Sequence, residues 1–248
     1  MSEEKTIKLV ELIKESYNNS QRNKSKISND WRIMDQYSVS SKRFKLLLNN
    51  LCSVDNFTYL ELGCFRGGTL CAALSQNKLL AAYAIDNFKY NPLDFYTHPE
   101  TGEGSNVNPN GWDNVKLNLI DNLERLGLDK SVRLFVGDWN KISDSFIKHK
   151  INIVHLDIPK DTDKILEFYD SKFDDVFILV VSNFNSSDIQ KQVESYIDKK
   201  KYTIHHKITN FSHSNADSEG WWNGLGLFVI QKLGKQNEKE VSNQSNQL

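Results

Sequence analysis

The stretch TYLELGCFRGGTL, residues 58–70, decides the fold. Apolar strand residues run into Glu61, a Gly63-x-x-x-Gly67-Gly68 turn follows, and a helical pattern begins after it. Glycine has no Cβ and adopts positive φ without strain, so such a turn lets backbone N–H groups approach a ligand closely. Downstream, AAYAIDNF (residues 81–88) brings a second strand to its end on an acid, Asp86. Strand, glycine turn, helix and strand-terminal acid together predict a doubly wound α/β fold with a nucleoside held at the strand ends.

Outward from this unit, strand and helix patterns alternate. Strands are expected at 58–63, 81–87, 132–138, 151–158 and 175–184, with helices at 67–77, 114–127, 161–172 and 186–200 between them. Such alternation predicts a mostly parallel sheet covered by helices on both faces. The two last strands, 201–209 and 225–232, have no helix between them and should pair antiparallel. Upstream, Ile7, Val10, Ile13 and Tyr17 recur at helical spacing over residues 4–17. A helix at 42–52, capped by Ser40 or Ser41, would lay Phe44, Leu47, Leu48 and Leu51 on the sheet. The expected organisation is an N-terminal helix and polar linker over 1–30, one α/β domain over 31–233, and a polar disordered tail over 234–248.

The bulk composition narrows the function class. With 31 basic against 32 acidic residues, nothing draws the whole chain toward nucleic acid or a membrane surface. No apolar run reaches the ~20 residues that span a bilayer, and the charged N-terminus MSEEKTIKLV does not read as a signal peptide. Three cysteines, Cys52, Cys64 and Cys71, are an odd count without metal-ligand spacing, which fits a reduced cytoplasmic setting. Cys64 lies in the glycine turn, where it is either a reactive thiol or, on the plainer view, a small residue lining the bend.

Ligands of such sheets bind beyond the carboxyl ends of the parallel strands. That places the turn 63–68, the segment after Asp86, the Asp138-Trp139 corner, Asp157–Lys160 and Ser182–Asn185 at the site, with the loop 210–224 above them. Asp86 is the natural ribose ligand, since one carboxylate can accept from both ribose hydroxyls; otherwise it caps the following turn. His155 shares a strand face with Asp157 and is either a base or a buried sheet residue.

The G-x-x-x-G-G spacing, with Glu61 two residues ahead, departs from the dinucleotide fingerprint G-x-G-x-x-G and argues against a NAD-dependent oxidoreductase. It resembles motif I of class I S-adenosylmethionine (SAM) dependent methyltransferases, whose Rossmann-like sheet has seven strands and a terminal antiparallel pair. The resemblance covers roughly residues 35–232. It looks closest to small-molecule O-methyltransferases of the catechol and macrolide-sugar type. It looks closer still to uncharacterised bacterial and viral methyltransferase-like proteins, which share the terminal motif Trp221-Trp222-Asn223-Gly224-Leu225.

The resemblance implies SAM as cofactor, contacted by Glu61, Gly63, Phe65, Gly67, Gly68, Asp86, Asp138 and Trp139. Asp138 would accept from the adenine amine, while Trp139 either stacks on the ring or belongs to the core. In metal-dependent relatives an acid after strand four and an acidic pair after strand five hold Mg²⁺. Here Asp157 stands in the first position and Ser182-Asn183 in place of the pair, so Asp157 and Asn183 would make a poor magnesium site. Two readings follow: a metal-independent enzyme with Asp157 or His213 as base (Glu219 is a further candidate), or a degenerate, non-catalytic SAM-binding protein. The long connection 89–111, with Tyr90, Phe95, Tyr96 and His98, either joins Trp112, Trp221 and Trp222 in an aromatic wall or is a disordered insertion. The expected acceptor is a small hydroxylated molecule rather than nucleic acid, because no basic stripe is present.

Overall fold

The computed structural model describes residues 2–34, 40–89, 114–158, 160–211, 220–221 and 223–232. The tail from Gly234, the connection 90–113, His213, Glu219 and Trp222 lie outside the described residues. Seven strands form one sheet: β1 (Thr58–Leu62), β2 (Ala81–Asp86), β3 (Arg133–Val136), β4 (Ile151–Leu156), β5 (Phe173–Ser182), β6 (Thr203–Asn210) and β7 (Leu225–Gln231). Their order is β3-β2-β1-β4-β5-β7-β6. The first five strands are parallel, while β7 runs antiparallel to both β5 and β6. The terminal antiparallel pair arises as expected: with no helix to carry the chain back, β7 must reverse beside β6.

The helices are α1 (Ser2–Gln21), α2 (Trp31–Met34), α3 (Lys42–Leu51), α4 (Gly68–Leu74), α5 (Val115–Arg125), α6 (Thr162–Tyr169) and α7 (Ser187–Lys200). Two apolar cores form, because successive strand residues face opposite ways. On one face, Tyr59, Ala82, Ala84, Ile153 and Ile178 pack with Leu9 and Ile13 of α1, Phe44 and Leu47 of α3, and Leu119 of α5. On the other, Leu60, Tyr83, Val154 and Leu179 pack with Ile165 of α6 and Val193 of α7. Strands covered on both faces read as continuous apolar runs, as in Val176–Val181 of β5, buried at every position.

Local signals fix several boundaries. Ser41 Oγ accepts from Phe44 N at the start of α3, and Ser186 Oγ accepts from Ile189 N at the start of α7. The first helix runs past Tyr17 to Gln21, and its Leu9 and Ile13 are fully buried in the main core. The strand expected over 132–138 ends at Val136, and Trp139–Lys141 beyond it is a 3₁₀ turn. Among the described residues no helix is long and apolar enough to cross a membrane.

Candidate functional site

The strand order reverses between β1 and β4, and sheets of this kind admit ligands in the crevice beyond the carboxyl ends of the strands beside such a point, here β2, β1 and β4. The glycine turn closes that crevice. Gly63 has φ +87°, and a Cβ there would stand 2.4 Å from the Asp157 carbonyl oxygen. The turn and the end of β4 therefore approach more closely than any side chain permits. Asp157 N donates to the Leu62 carbonyl at 2.8 Å, which keeps β1 and β4 joined up to this point. Gly67, at φ +80°, packs against Leu119 and leads into α4 at Gly68. Phe65 is also left-handed, at φ +48°, a conformation a bulky residue holds only when its surroundings enforce it.

Asp86 supplies that enforcement. Its Oδ2 accepts from Cys64 N at 2.7 Å and Phe65 N at 3.0 Å, and its Oδ1 accepts from Phe88 N at 2.7 Å. The residue is 6% exposed. One carboxylate thus ties the turn after β1 to the end of β2. The amides that sequence reasoning assigned to a ligand are, at Cys64 and Phe65, already used. Cys64 is 2% exposed. Burial first, then the Glu61 and Asp86 charges, push its thiol well above the ordinary range, which suits a residue that lines the bend.

Glu61 faces inward. Thr69 Oγ1 donates to its Oε1 at 2.8 Å, Tyr59 OH donates to its Oε2 at 2.5 Å, and His155 Nδ1 lies 3.3 Å from Oε2. His155 Nε2 is 2.9 Å from Ser182 Oγ. Tyr59, Glu61 and His155 are all fully buried. This polar chain fastens α4 to β1, β4 and β5 beneath the crevice, so Glu61 anchors the turn from below. Thr69 was not singled out in the sequence; a Thr after two glycines carries no signal until the helix turns it back onto Glu61.

Asp157 stands at the rim of the crevice. Asn183 Nδ2 donates to its Oδ1 at 2.9 Å, and Asn183 Oδ1 accepts in turn from Asn223 Nδ2 at 3.1 Å. Asn183 and Asn223 are both left-handed, at φ 58° and 55°, which asparagine tolerates better than most residues. Burial raises the Asp157 carboxyl from 3.8 to about 6; the Glu61 charge adds to this, while His155 and the Asn183 hydrogen bond oppose it. Among the described residues no group of three or more His, Cys, Asp and Glu side chains could hold a metal ion. Asp157 and Asn183 are bonded to each other rather than opened around a cation, and an amide N–H turned toward the carboxylate is not a ligand for Mg²⁺.

At the β3 side, Asp138 accepts from Asn87 Nδ2 at 3.0 Å and lies 3.9 Å from Lys89 Nζ. Trp139 packs edge-on against Phe168 of α6, ring centroids 5.5 Å apart, and its carbonyl accepts from Tyr169 OH. Its ring is therefore held by α6. The structure thus gathers the turn, Asp86, Asp157 and Asn183 around one crevice and seats Glu61 and His155 under it.

No family model matches the sequence, and no curated protein matches it. Solved structures do share the fold. TrmN from Thermus thermophilus is 10% identical, with 82% of this chain and 52% of that chain covered and a TM-score of 0.53. TrmK from M. capricolum, bound to the cofactor product S-adenosylhomocysteine, is 15% identical over 75% of this chain and 67% of that one, at 0.47. The B. subtilis M1A22 tRNA methyltransferase TrmK is 12% identical over 78% and 66%, at 0.46. The sheet is the Rossmann-like class I methyltransferase sheet.

Two expectations are corrected here. The narrower likeness to small-molecule O-methyltransferases finds no support among these neighbours. The expectation of a small-molecule acceptor, with nucleic acid disfavoured, is corrected likewise: the structures that share this fold, TrmN among them, do not point to a small-molecule acceptor. A near-neutral net charge is a whole-chain sum and does not report which acceptor one sheet edge receives.

Proposed function

We propose that this chain is a SAM-dependent methyltransferase. The observation that carries the reading is the Asp86-bound glycine turn at the point where the strand order reverses. Gly63, Phe65, Gly67 and Gly68 would line the methionine half of the cofactor, Asp86 the ribose, and Asp138 with Trp139 the adenine side. Methyl transfer from a sulfonium is an in-line displacement, so the protein must mainly orient the two reactants and take up the acceptor's proton. Asp157, with its carboxyl at about 6, is ionised at neutral pH and suits the removal of a proton from a hydroxyl acceptor. His213, the other base proposed from sequence, lies outside the described residues.

Calorimetric titration of the purified chain with S-adenosylhomocysteine tests the reading, with and without Mg²⁺. Micromolar binding, about −8 kcal/mol, is expected, without a magnesium dependence. No binding at millimolar ligand would overturn the cofactor assignment. Binding without methyl transfer to any acceptor, RNA included, would return the chain to the non-catalytic SAM-binding class.

A further inference from the structure

The glycine turn has few donors left for an anion. The Cys64 and Phe65 amides donate to Asp86, and Gly67 N donates to the Cys64 carbonyl at 2.7 Å. The methionine half of SAM carries a carboxylate, which must exchange its hydration for donors of the protein as it enters a crevice. Side chains outside the turn can supply such donors.

Two orphaned donors stand at the same edge of the sheet. Arg43 Nε and Trp221 Nε1 are both shut off from solvent and have no hydrogen-bond partner among the described residues. Arg43 is the second residue of α3, which runs down to feed β1, so its N-terminal end lies at the carboxyl ends of the parallel strands. Its neighbour Phe44 confirms the height: that ring sits 5.2 Å from the ring of His155, one residue short of the end of β4. Trp221 precedes Leu225, which pairs with Ser182 at the carboxyl end of β5. The two side chains meet, with Arg43 Cζ 5.9 Å from the Trp221 ring centroid.

The indole is held firmly. Tyr17 of α1 stacks on it at 5.3 Å and 10°, Phe44 meets it edge-on at 6.3 Å, and it is 1% exposed. A buried donor left without a partner is costly, so natural folds seldom retain one without a use. A guanidinium N–H and an indole N–H left together at a ligand-facing edge match what an oxyanion requires.

We propose that Arg43 and Trp221 receive the α-carboxylate of the cofactor's methionine half, Arg43 as the charged donor and Trp221 as the second. This rests on the SAM reading above. The N-terminal segment then belongs to the binding site: α1 holds the indole through Tyr17, and α3 carries the cation.

The test compares two ligands by calorimetry on the full chain: S-adenosylhomocysteine, and 5′-methylthioadenosine, which lacks the amino-acid half. Arg43→Met should weaken S-adenosylhomocysteine about 10- to 100-fold and leave methylthioadenosine unchanged. Trp221→Phe keeps the ring and removes only the N–H; it should weaken the first ligand about 3- to 10-fold and again spare the second. Arg43→Lys, which keeps the charge, should restore part of the loss. Wild-type affinity for S-adenosylhomocysteine in Arg43→Met would overturn the carboxylate site and leave the SAM reading standing. Equal losses for both ligands would also overturn it, since they would report a general disturbance of the crevice. A wild-type chain that binds neither ligand would overturn both proposals.

Discussion

Replacing Asp86 by Ala separates two roles that sequence reasoning merges. If the carboxylate serves only a ribose, its loss removes ligand affinity and leaves folding nearly untouched. In the structure it accepts three backbone N–H groups at 2.7, 3.0 and 2.7 Å while 6% exposed. A hydrogen bond to a charged group contributes about 1.5–3 kcal/mol. The three share one carboxylate, and water can enter the space an alanine leaves at the rim, so they do not add fully. We expect Asp86→Ala to cost about 3 kcal/mol. With a urea slope of about 2–3 kcal/mol per M, the unfolding midpoint should fall by about 1 M. The left-handed Phe65 loses its tether in the same variant, so S-adenosylhomocysteine binding should disappear as well. Asp86→Asn keeps one oxygen acceptor and should lose about 2 kcal/mol. A stability change under about 0.5 kcal/mol in Asp86→Ala would refute the anchoring role, even if binding were lost.

Two further outcomes follow from the same crevice. Gly63→Ala combines a left-handed backbone with a Cβ 2.4 Å from the Asp157 carbonyl oxygen, so urea unfolding should show a loss of about 3 kcal/mol or more; a loss below about 1 kcal/mol would mean that β1 and β4 separate freely. Asp157, raised from 3.8 to about 6 on folding, favours the protonated form, so its contribution is fully present below about pH 4 and is lost as pH rises through 6. Asp157→Asn should therefore nearly match wild type near pH 4 and exceed its stability by about 2–3 kcal/mol at pH 8, while abolishing methyl transfer; a difference that stays flat across this range would refute the buried carboxylate.

Much of the fold is legible because its causes are local. Ser41 and Ser186 announce helix starts through side chains that reach only three residues ahead. The run of apolar residues Val176–Val181 in β5 reports two covered faces, and the missing helix between β6 and β7 dictates their antiparallel pairing. The Gly63–Gly67 turn and Asp86 were identified for the same reason: positive φ and a strand-terminal acid are read within a few residues. Their use was not. Only the parallel pairing of β1 with β2 sets the Asp86 carboxylate against the Cys64 and Phe65 amides.

The sequence alone determined the strand–helix alternation, the glycine turn and the acid-poor corner at Ser182-Asn183, because propensity, periodicity and residue chemistry act over a few bonds. Tertiary structure alone decided that Glu61 lies buried under Thr69 and His155, and that Asn223 steadies Asn183 against Asp157. It also brought Arg43 to Trp221. Each of these joins side chains from different elements. Such contacts are fixed by the order in which the strands assemble and by the exclusion of water between packed layers, and no sequence spacing records either.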